Sequence, residues 1–412
     1  MATTSNLLST AKTAGAMQGW TINAASWLAA IAAAMLAPVL PKIAQSFQAD
    51  PHVAVGVSLV ATLPALFIAI CAFPAGLLAD RFGTRRVFLL GVGVYGFLGC
   101  APMLLDSLMS VLVTRALLGI AGAIIMTCSA ALLAEYFQGD ERDRWFAINT
   151  AGAGLAAMVA VVLGGMLGQF NWRFAFALNG AAFILFPILL LKTWSPAAQD
   201  GMRVANSNQA GSSAEKYHWG PVALICLITV FASMAFYVVI IQLSFILSER
   251  GVTSPGTIGL AAAIAVLFMA LGSVLFKLLP LPVAGKLATS FAFSAIGFLV
   301  LALSHGFVFT EVGAAINGIG SGMALPTLIT WAISKLTPAV RASGTGIWQA
   351  SFFLGQFFSP LTILLLKNAM GSLGNAVLVY AIACAIAAAI ALSVSFRSGS
   401  QPRIETASPA SR

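Results

Sequence analysis

Twelve apolar runs, each close to the roughly 20 residues a helix needs to cross the hydrocarbon core of a bilayer, constrain this 412-residue chain more than any other feature. Bounded by charges or turn residues, they fall at about 20–40, 54–79, 86–104, 108–134, 145–168, 173–193, 219–248, 255–279, 284–304, 307–334, 341–366 and 373–396. Hydrocarbon offers the backbone no hydrogen-bond partners, so each run must satisfy its own amides as a helix. Composition agrees, with 60% apolar and 8% charged residues against roughly 45–50% and about 25% in soluble domains. So few charges cannot give a chain of this length a water-facing surface. The expected fold class is an all-α polytopic membrane protein, with the lipid bilayer as its first partner.

The net charge of +9 is explained by topology. With the N-terminus inside, sixteen Lys and Arg residues fall on the cytoplasmic side and four on the outer side (Lys42, Arg173, Arg250, Lys367), while Arg115 lies within a span. That asymmetry is the positive-inside pattern, and it places both termini in the cytoplasm. It also removes the reason to expect a nucleic-acid partner. The five cysteines sit far apart within apolar runs, without metal-ligand spacing, so they read as packing residues and no metal is expected. The stretch up to Gln18 is polar, so no cleavable signal peptide is expected. Low cysteine content and brevity point to a bacterial inner membrane.

Residues 195–218 are rich in Ser, Ala, Asn, Gln and Gly and divide the chain near its middle. Such a segment buries too little apolar surface to order itself. The expected organisation is therefore a six-helix bundle over 1–194, a cytoplasmic linker over 195–218, a second six-helix bundle over 219–396, and a cytoplasmic tail over 397–412. Worn repeats at an offset near 199 residues support a duplication. Ala116-Leu-Leu-Gly119-Ile120 matches Ala315-Ile-Asn-Gly318-Ile319, and Gly76 after the second run has a counterpart in Gly272 after the eighth. Two pseudo-symmetric bundles meeting at a central cavity form an architecture suited to alternating access.

Between the second and third runs lies Gly76-Leu-Leu-Ala-Asp80-Arg81-Phe-Gly83-Thr-Arg85-Arg86. An ordinary basic loop accounts for the arginines but not for one acid and two glycines at this spacing. The segment resembles the signature loop of the major facilitator superfamily, Gly-x-x-x-Asp-Arg-x-Gly-x-Arg-Arg. Pro38-Val-Leu-Pro41, Arg115-x-x-x-Gly119-x-x-Gly122 and Asn171-Trp-Arg173 are similar to other parts of that family. The resemblance implies a secondary transporter, functional as a monomer, in which the loop is a conformational latch. Asp80 would face the start of the eleventh span near Arg341–Thr345 and the basic Arg142 and Arg144 of the next loop, because a helix N-terminus attracts an anion.

The resemblance also implies a coupling role for Arg115, which sits about seven residues into the fourth run and shares a helical face with Gly119, Gly122, Met126 and Ser129. A cation snorkelling to the outer interface is the plainer alternative. No acid lies between Thr21 and Leu40, and the intramembrane carboxylates reduce to Glu135 and Glu311, each readable as an interfacial charge. The proton carrier is thus open. Thr345, Trp348, Gln349, Phe352, Gln356 and Ser359 recur at helical spacing and form the best candidate cavity stripe, which Tyr237, Gln242 and Asn317 could join. The Gly-Pro-x-x-Gly-Gly of related exporters is replaced by Ala160-Val-Val-Leu-Gly164-Gly165.

Gly91-Val-Gly93-Val-Tyr-Gly96 matches a dinucleotide-binding pattern but sits inside an apolar run with no strand before it, so no cofactor is expected. There is no Gly-x-x-x-x-Gly-Lys loop for ATP, and no acid or histidine cluster for a membrane enzyme. The expected function is proton-coupled export of a small amphipathic or aromatic compound. Uptake of an organic anion, by proton symport or facilitated diffusion, is the alternative, suggested by Arg115 and the altered fifth span.

Overall fold

The computed structural model describes residues 14–195, 219–337 and 341–399. The expected linker beyond Ser195 and the tail from 400 onward lie outside them. Twelve helical spans are present: α1 (Ala16–Ser46), α2 (Val53–Phe82), α3 (Thr84–Leu104), α4 (Leu108–Tyr136), α5 (Gly139–Phe170), α6 (Trp172–Lys192), α8 (Pro255–Leu278), α9 (Val283–Leu303) and α10 (Phe307–Ser334), with α7 (Trp219–Glu249), α11 (Arg341–Met370) and α12 (Leu373–Gly399). No strand occurs among the described residues. The helices match the twelve apolar runs in order and number. Their helices reach several residues beyond the hydrocarbon, because polar residues at the interfaces still complete backbone hydrogen bonds.

Prolines decide where spans break. In α1 the helix stops at Ala34, a 3-10 turn covers Ala37–Val39, and a short helix resumes over Leu40–Ser46, with Pro38 and Pro41 at the two restarts. Between α2 and α3 the chain turns on Gly83, at φ 91°, a left-handed conformation that a side chain would strain. The second glycine of the signature loop is therefore required by the turn.

An even number of spans returns the end of α12 to the side from which α1 starts, called here the terminal side; the opposite end is the far side. Packing within the first half pairs α1 with α5, α2 with α4, and α3 with α4 and α6. Packing within the second half pairs α7 with α11, α8 with α10, and α9 with α10 and α12. Each pairing is the other shifted by six helices. The register repeats as well. Gly119 of α4 lies against the Pro64 carbonyl and the Phe67 Cβ of α2, and Gly318 of α10 lies against the Ala265 carbonyl and the Phe268 Cβ of α8. Glycine is needed at both positions because a Cβ would come within 2.6 and 2.8 Å of those carbonyls.

The halves meet along two seams, α5 with α8 and α2 with α11. Large apolar side chains such as Phe73, Phe97 and Leu191 point outward, as expected of helices bathed in lipid.

Candidate functional site

The far end of the α5–α8 seam is closed. A Cβ on Gly165 would meet the Pro255 carbonyl at 2.5 Å, and one on Gly259 would meet the Val161 carbonyl at 2.8 Å. Gly164 beside it packs on the Met35 backbone of α1, so the two adjacent glycines serve two different neighbours. Gly154 occupies the same face of α5 as Gly165, eleven residues nearer the terminal side, and there a Cβ would meet nothing within 4 Å. The seam is tight at the far side and parts toward the terminal side. Above the seal, a far-side vestibule of about 510 Å³ opens between the halves, its walls including Lys42, Gln169, Ser248, Thr253 and Ser254. The Lys42 Nζ donates to the carbonyls of Gly168 and Gln169, 3.0 and 3.1 Å away, which the end of α5 leaves unpaired.

Arg115 is fully buried, which excludes the snorkelling alternative. Its Nε donates to the Val60 carbonyl at 3.0 Å, and its Nη2 to the Ala32 carbonyl at 3.1 Å. Both acceptors have a local cause. Val60 lies four residues before Pro64, which has no N–H to give it. Ala32 is in the last helical turn before the Pro38 break, where carbonyls lose their partners. Arg115 thus joins α1, α2 and α4 by satisfying one carbonyl that Pro64 releases and one at the end of the first helical stretch of α1. Phe176 packs against the guanidinium at 5.7 Å, and Nη1 is left buried without a partner. In the second half the positions corresponding to Pro64 and Arg115 by packing and offset are Ala265 and Ala314, so both members of the pair are missing together. The small-residue stripe beside Arg115 faces α2, with Gly122 near Ile68, so it packs helices.

An aromatic cluster forms on α7 and α11. Trp348 and Phe352 stack with centroids 6.2 Å apart and planes 13° apart, and Tyr237 and Phe236 flank Phe352 at 5.6 and 6.2 Å. All four rings are half-buried, and the Trp348 Nε1 is buried without a partner. Two serines hold the helices together beneath the rings. Ser233 Oγ donates to the Phe352 carbonyl at 2.6 Å and Ser359 Oγ to the Met234 carbonyl at 2.8 Å. Gln356 and Gln242 are buried in the same two helices, while Gln349 is exposed. Asn317 does not join them. It turns to α9, donating to the Ser294 carbonyl at 3.4 Å and accepting from Ser321 Oγ, so its amide serves helix packing.

The two intramembrane acids part company. Glu135 accepts from Thr84 Oγ1 at 3.2 Å. Both oxygens of Glu311 are buried and have no partner.

The signature loop lies on the terminal side. Gly76 faces Thr127 of α4, Asp80 and Arg86 are exposed, and Arg81 packs on Phe82. Asp80 makes no ion pair among the described residues. Arg142 pairs with Asp143 at 3.6 Å, Arg144 is exposed, and the side chain of Arg341 lies outside the described residues. Arg85 points elsewhere: Nε donates to the Thr193 carbonyl at 3.0 Å and Nη2 to the Leu190 carbonyl at 2.8 Å, so it caps the end of α6. Next to it Trp194 stacks on Tyr136, whose hydroxyl meets the Trp194 backbone at both N and O.

Sequence reasoning missed a third cluster, on α1 and α5. Trp27 Nε1 donates to the Asn149 carbonyl at 2.9 Å, Asn23 Nδ2 to the Trp145 carbonyl at 3.2 Å, and Trp20 meets Trp27 and Trp145 edge-on. The readable signal was Trp20 and Trp27 at a spacing of seven, opposite Gly152, where a Cβ would strike the Trp27 ring.

Comparison with known proteins agrees with this geometry. The family model for the major facilitator superfamily matches residues 22–288. The chain is 22% identical over 397 residues to the uncharacterized MFS-type transporter YvkA of Bacillus subtilis, covering 83% of this chain and 88% of that one. It is 30% identical over 193 residues to the class E tetracycline resistance protein of Escherichia coli, covering 45% of this chain and 47% of that protein. It is also 30% identical over 169 residues to the multidrug efflux pump LfrA of Mycolicibacterium smegmatis, covering 40% of this chain and 32% of that one. The chain therefore spans about half or less of those two relatives. Among solved structures, a D-xylose–proton symporter superposes with a TM-score of 0.75 at 14% identity, covering 91% of this chain and 96% of that one. A bacterial homolog of the human lysosomal transporter Spinster, inward-facing, superposes with a TM-score of 0.70 at 16% identity, covering 93% and 97%. These two likenesses are of fold. With the family model spanning well over half its length, the chain belongs to the major facilitator superfamily: it is a multi-pass membrane transporter of small molecules and not an enzyme.

Proposed function

We propose that the chain exports small amphipathic or aromatic compounds from the cytoplasm, driven by protons, by rocking its two halves about a midplane site. The observation that carries this reading is the cluster of Trp348, Phe352, Tyr237 and Phe236 on α7 and α11. Half-buried rings beside an unpartnered indole N–H and buried amides are suited to an aromatic ligand, with rings for packing and polar tips for orientation. With the termini in the cytoplasm, as the charge asymmetry implies, the parted seam opens inward, the state in which an exporter loads. The printed names of the partial relatives, tetracycline resistance and multidrug efflux, support the same class.

Uptake of an organic anion draws less support. It rests on Arg115 and the altered fifth span, and the Arg115 guanidinium is already held by the Val60 and Ala32 carbonyls, leaving one nitrogen where a carboxylate fork needs two. Flux of a panel of anionic, neutral and cationic aromatic compounds in everted vesicles, with and without a protonophore, tests the reading. Protonophore-sensitive movement into the vesicles is expected. Trp348→Ala should raise KM about tenfold with little change in maximal rate, as loss of uniform binding does. Flux of the opposite sense, or a Trp348→Ala variant with wild-type KM, would overturn it.

A further inference from the structure

We infer that the far-side vestibule is a binding site for a small soluble oxyanion, a phosphate or carboxylate, which clamps the two halves together and brakes transport from the far side. The site is separate from the aromatic cluster, and the inference rests on the proposed function only for the rocking of the halves. Its first support is the cavity. A volume of about 510 Å³ falls within the roughly 300–1,000 Å³ of small-molecule sites. No aromatic ring lines it, so it does not suit the compounds proposed for α7 and α11.

The second support is charge. Lys42 is the one charged side chain in that wall, and no acid lines it. An ammonium has three N–H donors. Two are spent on the Gly168 and Gln169 carbonyls, and one is left over. Neutral carbonyls do not cancel the positive charge, and Lys42 makes no ion pair among the described residues. Glu249, next to Ser248 in the chain, is taken by Lys367 at 2.9 Å. Around Lys42 stand Gln45, Gln169, Ser248, Thr253 and Ser254, whose side chains make no hydrogen bond within the protein among the described residues. One uncancelled cation ringed by free hydroxyl and amide donors is the complement of an oxyanion, which accepts several hydrogen bonds at once. Water takes that place when the site is empty.

The third support is that the site has two walls. Lys42, Gln45 and Gln169 belong to the first half, and Ser248, Thr253 and Ser254 to the second. Lys42 ties α1 to the end of α5, so the first three move as one wall. The walls face each other only while Gly165 of α5 packs on the Pro255 carbonyl of α8. Opening the far side draws α5 away from α8 and takes the site apart. A ligand that binds one of two states shifts the equilibrium toward that state. The bound oxyanion therefore holds the far side shut, and at ten times its Kd it lowers the far-open population about tenfold. In an exporter the far-open state releases the cargo, so the anion slows each cycle.

The test uses purified full-length protein and inorganic phosphate, against chloride at matched ionic strength because salt alone screens charge. Titration calorimetry of wild type should show a saturable phosphate site. Lys42→Gln should abolish it, Lys42→Arg should keep affinity within several-fold, and Ser254→Ala on the opposite wall should weaken it several-fold. Gly165→Val keeps every wall residue but parts the walls, so it should lose at least about tenfold in affinity. Ser254→Ala and Gly165→Val decide the matter even if Lys42→Gln, which frees two carbonyls, fails to fold. A wild type without the site, or full affinity in Gly165→Val, overturns the clamp; the latter would leave a surface lysine only. Loss of phosphate binding in nanodiscs rich in phosphatidylglycerol would give the site to a lipid headgroup and overturn the soluble occupant. In proteoliposomes, phosphate at ten times its Kd on the far side should cut ethidium flux several-fold, and on the terminal side should leave it unchanged. Flux indifferent to far-side phosphate overturns the brake. Absence of ethidium flux counts against the proposed function alone, since calorimetry still decides the site.

Discussion

At the residue scale, the most consequential interaction is a repair. Pro64 in α2 and the helix end at Ala34 in α1 each leave a carbonyl unpaired inside the membrane, where water cannot satisfy it, and Arg115 reaches both from α4. A lysine gathers its donors on one nitrogen, whereas the guanidinium donates to the two helices from two separate atoms, Nε and Nη2. Arg115→Lys is therefore expected to destabilise the protein despite keeping the charge. Hydrogen bonds to charged groups contribute about 1.5–3 kcal/mol each in water-soluble proteins, and interhelical bonds in membranes average about 0.6, so a loss of about 1–4 kcal/mol is expected. A lowered Tm in detergent would register it. A Tm equal to wild type would show that the charge alone suffices. The sequence marks Arg115 as a cation within a span, but not its partners. They are backbone atoms, and only the packing of α1 and α2 on α4 reveals them.

At the element scale, glycines control which helices approach one another. Gly165 and Gly154 occupy one face of α5, the first against α8 and the second in open space. Gly165→Val should therefore prop open the far side, whereas Gly154→Val should leave the resting state unchanged. A cysteine placed at Ser254, in a background without the native cysteines, would report this by maleimide labelling from the far side. Labelling several-fold faster in Gly165→Val alone is the expected result, and equal rates in both variants would refute the seal. The aromatic stripe of α11 is readable from its helical spacing, and Tyr237 of α7 lies 5.6 Å from Phe352. Asn317 looked equivalent in sequence and is not. Its helix is glycine-rich on several sides, and periodicity alone cannot tell which side meets a neighbour.

At the scale of the whole molecule, the second half repeats the first in helix order, in pairing and in the register of its glycines, while sequence identity between the halves has nearly vanished. The repeat survives where backbones touch, because only small residues permit the contact. It is lost at the Pro64–Arg115 pair, where the arginine satisfies the Val60 carbonyl that the proline leaves free. Orientation is the property that governs direction of transport. The sixteen-to-four split of basic residues in the sequence predicts that a fluorescent protein fused after residue 412 will mature in the cytoplasm. A phosphatase fused within the α7–α8 connection should be active outside. The opposite pattern would reverse the proposed direction.

The apolar runs alone determined that this chain is a helical membrane protein of twelve spans, because a bilayer tolerates no other way of satisfying so long an apolar backbone. The signature loop and its glycines likewise carry the family resemblance within the sequence. Tertiary structure decided which polar groups have work to do. Arg85, read as part of a latch, caps α6; Glu135 and Glu311, indistinguishable as sequence, separate into a bonded and an unbonded acid. The reason is physical. In an apolar interior the role of a polar side chain is set by whether a partner lies within about 3 Å, and partners come from helices far away along the chain.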